Sequence, residues 1–184
     1  MQKHDIPNII SIVRIALVLP VVLLLLAHAY LYALVIFFIA GVSDGVDGFL
    51  ARQFNWQSRL GSILDPLADK LLLVSCYVTL GWLGHIPWWL VVAVLARDLV
   101  IMSGSALYHW LIEAIEINPT YVSKLNTFLQ ILLIIMTLVN LAGLTLPASL
   151  ITSAIYATML TTIVSGLSYV FMWGHRARSK GKKT

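Results

Sequence analysis

Charge is scarce in this sequence. Only 11% of its 184 residues are Asp, Glu, Lys or Arg, while 60% are hydrophobic. A soluble domain carries about 25% charged residues, so a water-surrounded globule is excluded. Cysteine is nearly absent. The single Cys76 lies inside an apolar run, which excludes a disulfide framework and leaves the redox compartment open. Paired histidines are lacking too: His4, His28, His85, His109 and His175 are scattered, no two at a metal-ligand spacing, and no chemistry is assigned to them. Repeats and composition breaks are missing, so the chain is expected to form a single domain over residues 1–184, with a basic tail at 174–184. A cleavable signal pattern is missing as well. Gln2 to Asn8 is polar, and the apolar stretch after it exceeds the length of an h-region, so that stretch is expected to be a retained helix. The net charge of +4 does not point to nucleic acid, because the basic residues gather at the edges of apolar runs.

What the chain has is apolar runs of the length that crosses a bilayer, roughly 20 residues each. The expected fold is all-α and integral to the membrane, with six transmembrane helices. The spans run about Asn8–Ala29, Tyr30–Arg52, Arg59–Leu83, Trp88–Ile112, Thr120–Leu141 and Pro147–Trp173, with Pro7 as a helix start. Gln53–Ser58 and Glu113–Pro119 are polar loops, and Gly84–Pro87 is a tight turn. If the N-terminus is cytoplasmic, the inner side receives Lys3, both polar loops and the tail with Arg176, Arg178, Lys180, Lys182 and Lys183. The outer turns near 28–30, 84–87 and 142–146 then hold no Lys, Arg, Asp or Glu. That is a positive-inside pattern with both termini cytoplasmic. Trp56, Trp82, Trp88, Trp89, Trp110 and Trp173 all fall at span ends, as an aromatic belt would.

Against this background stands Asp44 to Lys70, which holds four of the eight acidic residues: Asp44, Asp47, Asp65 and Asp69. A carboxylate in lipid is costly unless it meets a cation or a wet cavity. Asp44 and Asp47 stand at i,i+3, and Asp65 and Asp69 at i,i+4, so each pair lies on one helix face. Two such faces turned together would form an oxygen-rich cage suited to a hard divalent cation, Mg²⁺ or Mn²⁺. The plainer reading is a buried ion-pair network with Arg14, Arg52, Arg59 and Lys70, but four acids exceed what such a network needs.

The same stretch reads D-x2-D-G-x2-A-R, eight residues, then G-x3-D-x3-D. Asp44, Asp47, Gly48, Ala51, Arg52, Gly61, Asp65 and Asp69 fill it without departure. In this it resembles the CDP-alcohol phosphatidyltransferase family, whose six-helix layout covers essentially the whole chain. The resemblance implies transfer of a phosphatidyl group from CDP-diacylglycerol to an alcohol, with release of CMP, at the cytoplasmic face. It implies two metal ions held by Asp44, Asp47, Asp65 and Asp69, with Asp69 also the general base on the attacking hydroxyl. Gly48, Ala51 and Gly61 would let the donor lie close to helix backbones. Arg52 would offer its fork to a phosphate. Asn8, with Arg14, would close over the nucleotide from span one, although Asn8 reads equally well as a helix N-cap. Family members are commonly homodimers, and a homodimer is expected here. The lack of an Arg/Ser-rich transit peptide points to a bacterial inner membrane.

Three stretches bear on the acceptor alcohol. Pro7-Asn8-Ile9-Ile10-Ser11 with Arg14, and Ala96-Arg97-Asp98, resemble both the cardiolipin-forming and the glycerophosphate-using branches of the family. Pro119 to Thr127 resembles the cardiolipin-forming branch, with Lys124 standing alone and Asn126 where the other branch tends to have a second lysine. Glycerol 3-phosphate is close to a dianion and wants several cations. Phosphatidylglycerol is a monoanion, for which Arg97 and Lys124 with the neutral donors Ser123 and Asn126 would suffice. Phosphatidylglycerol is therefore the expected acceptor and glycerol 3-phosphate the alternative. The bland readings are a structural Arg97–Asp98 pair and a Lys124 that only anchors the membrane edge. Two other classes remain open. A cation carrier would want charges on both membrane halves, and an aspartate-rich prenyltransferase would lack the G-x2-A-R insert.

Overall fold

The computed structural model describes the backbone over residues 6–54, 61–111 and 120–180, and the side chains over 12–43, 70–104 and 120–172. Six helices account for almost all of it: α1 (Ile6–Leu26), α2 (Tyr30–Phe54), α3 (Gly61–Trp82), α4 (Trp88–Leu111), α5 (Tyr121–Leu141) and α6 (Ala148–Lys180). Each falls on one of the six expected spans. Two ends differ. Asn8 is the third residue of α1, already past the capping position. The last helix does not stop at Trp173 but continues through Arg176 and Arg178 to Lys180. Long basic side chains are good helix formers and sit well at a helix C-terminus, so the basic stretch carries the helix on to Lys180.

Of the described residues, α5 and the Ala148–Met172 part of α6 are long and apolar enough to cross a membrane by themselves. Shorter apolar stretches lie at Ile12–Leu26, Tyr30–Ser43 and Lys70–Trp82.

The chain packs as two compact units, Met1–Ile86 with Ile134–Leu146, and Pro87–Leu133 with Pro147–Thr184. In the first, α1, α2 and α3 pack on one another. Each buries a stripe at helical spacing: Arg14, Val21 and Leu25 on α1; Ala33, Phe37 and Ala40 on α2; Leu72, Leu73, Cys76, Tyr77 and Leu80 on α3. Their outer faces are apolar as well, with Leu19, Leu23, Val35, Phe38 and Ile39 exposed. Helices apolar all round suit a lipid surround. There, association relies on close packing rather than on a hydrophobic drive, which is the use of Ala33 and Ala40.

Three helices end by the same device. His28, Gly84 and Gly143 adopt φ of 58°, 76° and 101° just past α1, α3 and α5. Each turn is closed by a backbone bond reaching back five residues: Ala29 to Leu24 (2.8 Å), His85 to Leu80 (2.9 Å) and Leu144 to Val139 (3.2 Å). Glycine takes this conformation without penalty, whereas His28 bears one. Its Nδ1 lies 2.6 Å from the Tyr30 hydroxyl, which in turn lies 3.2 Å from His85 Nε2. Burial, with the neighbouring His28 adding a smaller push, holds the His85 imidazole below its ordinary value. The tight turn expected at Gly84–Pro87 is thus realised, with a three-ring cluster beside it.

In the second unit α4 packs on α6, and Trp89 stacks on Tyr156 at 6.1 Å between ring centroids. Here amphipathicity is inverted. The buried side of α6 carries Thr158, Thr162 and Ser165, and its exposed side carries Tyr156, Leu160, Ile163, Leu167 and Phe171. In water that helix would be inside out. In lipid it is the expected arrangement, since polar groups must find partners within the protein.

Candidate active site

Asp44, Asp47, Gly48, Ala51 and Arg52 lie in the C-terminal half of α2, and Gly61, Asp65 and Asp69 in the N-terminal half of α3. Both helices are continuous through these positions. The i,i+3 and i,i+4 spacings therefore do place each aspartate pair on one face of its helix. α2 and α3 pack within the same unit. The side chains of these residues, and of Asn8, lie outside the described residues, so the expected cage and donor pocket do too. The donor set itself, four carboxylates and no sulfur or imidazole, fits a hard divalent ion rather than a soft one. Among the described residues no three His, Cys, Asp or Glu side chains gather to hold a metal.

The expected acceptor residues are described. Arg97 on α4 is 6% exposed and its neighbour Asp98 4%. Arg97 Nη1 donates to Asp98 Oδ1 at 2.6 Å, an ion pair buried in the second unit. The rest of the guanidinium is held by hydroxyls. Nε and Nη2 donate to Ser165 Oγ at 3.2 and 2.9 Å, and Nη2 also donates to Ser123 Oγ. Ser123 is placed for this by its helix start: Thr120 precedes α5 and its Oγ1 accepts from the Ser123 N–H at 3.3 Å, a side-chain cap. One turn on, Asn126 is wholly buried, and its Oδ1 accepts from Thr161 and Thr162, both at 2.9 Å. Arg97, Ser123 and Asn126 are thus brought into one polar interior. Lys124 is not among them. It is exposed, its Nζ 5.8 Å from the ring centroid of Tyr121, which is itself 90% exposed. An exposed pair of this kind is worth about 0.5–1 kcal/mol.

Reading the sequence by charge missed Ser165, Thr161 and Thr162. The signal was present: hydroxyls at 158, 161, 162 and 165 recur at three- and four-residue steps on one face of an otherwise apolar helix.

Chemically, the second unit offers a cation whose charge is already met by a carboxylate, ringed by neutral hydroxyl and amide groups. Such a site suits a weakly charged or zwitterionic oxygen-rich group better than a concentrated anion. With the aspartate-bearing helices of the first unit, these features describe an all-helical protein of apolar surface equipped for phosphoryl chemistry. The profile of the family described as CDP-alcohol phosphatidyltransferase matches residues 4–174. The chain belongs to that family, a family of membrane enzymes that is generally dependent on divalent metal. A putative cardiolipin synthase of Mycobacterium tuberculosis is 39% identical over 124 residues, 67% of this chain and 59% of that protein. A probable phosphatidylglycerophosphate synthase of the same species is 33% identical over 173 residues, 90% of this chain and 80% of that protein. Human cardiolipin synthase (CMP-forming) is 32% identical over 186 aligned positions, 89% of this chain and 60% of that protein. The chain therefore spans about three fifths of the two cardiolipin synthases. Its relatives divide over the acceptor alcohol.

Proposed function

We propose that the protein transfers the phosphatidyl group of CDP-diacylglycerol to a primary hydroxyl of phosphatidylglycerol, giving cardiolipin and CMP. The chain acts as one domain over residues 1–184, with six membrane spans, both termini cytoplasmic, in a bacterial inner membrane and as a homodimer. The positive-inside charge pattern supports that topology.

In the proposed reaction the acceptor oxygen attacks the phosphorus that carries diacylglycerol. The bond from that phosphorus to the bridging oxygen breaks, and CMP leaves with that oxygen and its electron pair. Asp69 takes the hydroxyl proton, a task suited to a carboxylate kept ionised beside cations. Asp44, Asp47, Asp65 and Asp69 would hold two Mg²⁺ or Mn²⁺ ions, which when bound neutralise the charge that builds on the pyrophosphate oxygens. Gly48, Ala51 and Gly61 allow the nucleotide to lie against backbone, and Arg52 and Asn8 bind its phosphates and base. Arg97, Ser123 and Asn126 receive the acceptor headgroup, with Lys124 at the rim.

The observation that carries the choice of acceptor is the 2.6 Å pairing of Arg97 with Asp98. Its charge being met internally, the polar interior has little to offer a dianion such as glycerol 3-phosphate and enough for a phosphodiester. Purified protein supplied with CDP-diacylglycerol and Mg²⁺ or Mn²⁺ should release CMP with phosphatidylglycerol. Turnover with glycerol 3-phosphate and none with phosphatidylglycerol would establish the glycerophosphate reading instead. Metal flux into liposomes without any CDP-lipid would favour a carrier.

A further inference from the structure

Asn126 Nδ2 bears two protons and, among the described residues, has an acceptor for neither, although the side chain is fully buried. Buried amides rarely stay in that condition. The other end of the amide explains why it is not simply turned round. Most hydroxyls in these helices fold back onto their own backbone, as Ser103 does to Leu99 O (2.6 Å) and Ser168 to Val164 O (2.7 Å). Thr161 has that choice as well, with Ala157 O at 3.0 Å and Thr158 O at 3.1 Å, and its one proton cannot serve every neighbour. Thr162 is different. Among the described residues Asn126 Oδ1 is the single acceptor its hydroxyl reaches. An inverted amide would set N–H against that hydroxyl and leave the threonine proton without an acceptor in a buried site. Thr162 therefore holds Oδ1 toward α6 and leaves the NH₂ group as a pure donor. Ser123, one turn earlier on the same face of α5, already accepts from Arg97. What the Asn126 NH₂ group lacks, among the described residues, is an oxygen to accept from it.

We propose that the Asn126 NH₂ group binds an unprotonated oxygen of the acceptor's phosphodiester, and that Thr162 is the positioning residue that fixes the amide for it. The inference rests on the reading that this polar interior handles the acceptor alcohol. Its rival is that Asn126 only ties α5 to α6.

Asn126→Asp separates the two. An aspartate keeps an oxygen for both threonine hydroxyls and so preserves the tie, while the two N–H donors give way to a carboxyl oxygen that turns away a phosphodiester anion. The expected result is a rise of about tenfold or more in the KM for the acceptor, with the KM for CDP-diacylglycerol unchanged. Thr162→Val should raise the same KM in the same selective way, by about threefold or more, and Thr162→Ser should restore it. The inference falls if N126D keeps the parent's acceptor KM, or if either variant raises both KM values equally. Should N126D not yield folded protein, the Val–Ser pair at 162 decides by the same criterion. CMP release by the unaltered protein is read first. Its absence with every acceptor sinks the functional reading and this inference together, whereas release that ignores both substitutions sinks this inference alone.

Discussion

Leu80 in the first unit and Arg97 in the second are both buried, and they are held by opposite means. Leu80 sits among Cys76, Tyr77 and Leu73 of its own helix in a largely hydrocarbon interior. Arg97 sits in an interior of a carboxylate, two serines, threonines and an amide. Both units present apolar side chains outward. In a membrane the outside is settled by lipid, so the inside is free to be either apolar or polar, and the choice marks what each unit must do. The first unit, whose described interior is apolar apart from Arg14, Thr79 and Thr137, relies mainly on packing around α2 and α3, the helices that carry the four aspartates. The second uses hydrogen bonds to arrange groups that are themselves fit to meet a ligand.

The largest effect should come from the chemistry that the first unit supports. Asp69→Asn keeps the size of the side chain and removes the base. CMP release should fall by a factor of about 10² to 10⁴, while the circular dichroism and thermal unfolding of the detergent-purified protein stay those of the parent. Retained turnover would break the link between the signature and catalysis.

The contrast in how the interiors are held predicts a different response to paired substitutions. Arg97→Leu takes the guanidinium away from the buried Asp98 and should cost about 3–5 kcal/mol of unfolding free energy. Arg97→Leu with Asp98→Leu should recover most of that loss, since an apolar pair leaves no buried charge. Leu80→Ala in the first unit should cost about 2–5 kcal/mol through the cavity alone, and no second substitution nearby should recover it except one that refills the space. Denaturant unfolding in a fixed detergent reads all three. A double variant at 97 and 98 no more stable than the single would show that the second unit, too, depends on packing.

A smaller effect isolates backbone strain at the helix ends of the first unit. An added Cβ at Gly143 would meet nothing within 4 Å, so Gly143→Ala bears only the left-handed conformation, about 1–2 kcal/mol. His28→Gly relieves the same strain and gives up the bond to Tyr30, worth about 1 kcal/mol. It should therefore be near neutral. A large loss at His28→Gly would mean that the His28–Tyr30–His85 cluster holds α1, α2 and α3 together more firmly than the packing does.

The helices were legible because most apolar spans are bounded by Pro, Gly or a polar loop, signals that act locally; the break between α1 and α2, at His28, carries none of these. α6 overran its expected end because Arg176, Arg178 and Lys180 were read as a solvated tail, although nothing in them breaks a helix. The aspartate register was legible because a three- or four-residue step has one meaning on a continuous helix. The environment of Arg97 was half legible. Arg97, Ser123 and Asn126 were singled out by likeness to a family, but whether Arg97 would face a ligand or Asp98 depended on a rotamer that no spacing encodes. Ser165 and Thr162 were passed over because hydroxyls in an apolar helix are ordinarily satisfied by the backbone one turn back, and only tertiary contact shows which are not. Lys124 shows the reverse. Its neighbour Tyr121, three residues earlier on the same face, gives the ammonium a resting place at the surface.

The smallest expected effect concerns pH, and it sets the two units apart most simply. The turns of the first unit near 28–30, 84–87 and 142–146 carry no Lys, Arg, Asp or Glu, and among the described residues the ionisable groups facing His85 are His28 and Tyr30. Burial and His28 lower the His85 value in the folded protein below the ordinary 6.5. Below 6.5 the unfolded chain then binds a proton that the folded one resists, so stability rises with pH through this window and declines as pH drops from 7 toward 5. His85 is only partly buried, which keeps the effect small. In His85→Gln the thermal midpoint between pH 7 and 5 should decline less than in the parent. The polar interior of the second unit, an ion pair, hydroxyls and amides among the described residues, holds no imidazole to give such a slope near pH 6. An equal slope in parent and variant would place the titrating group elsewhere and remove this contrast between the two units.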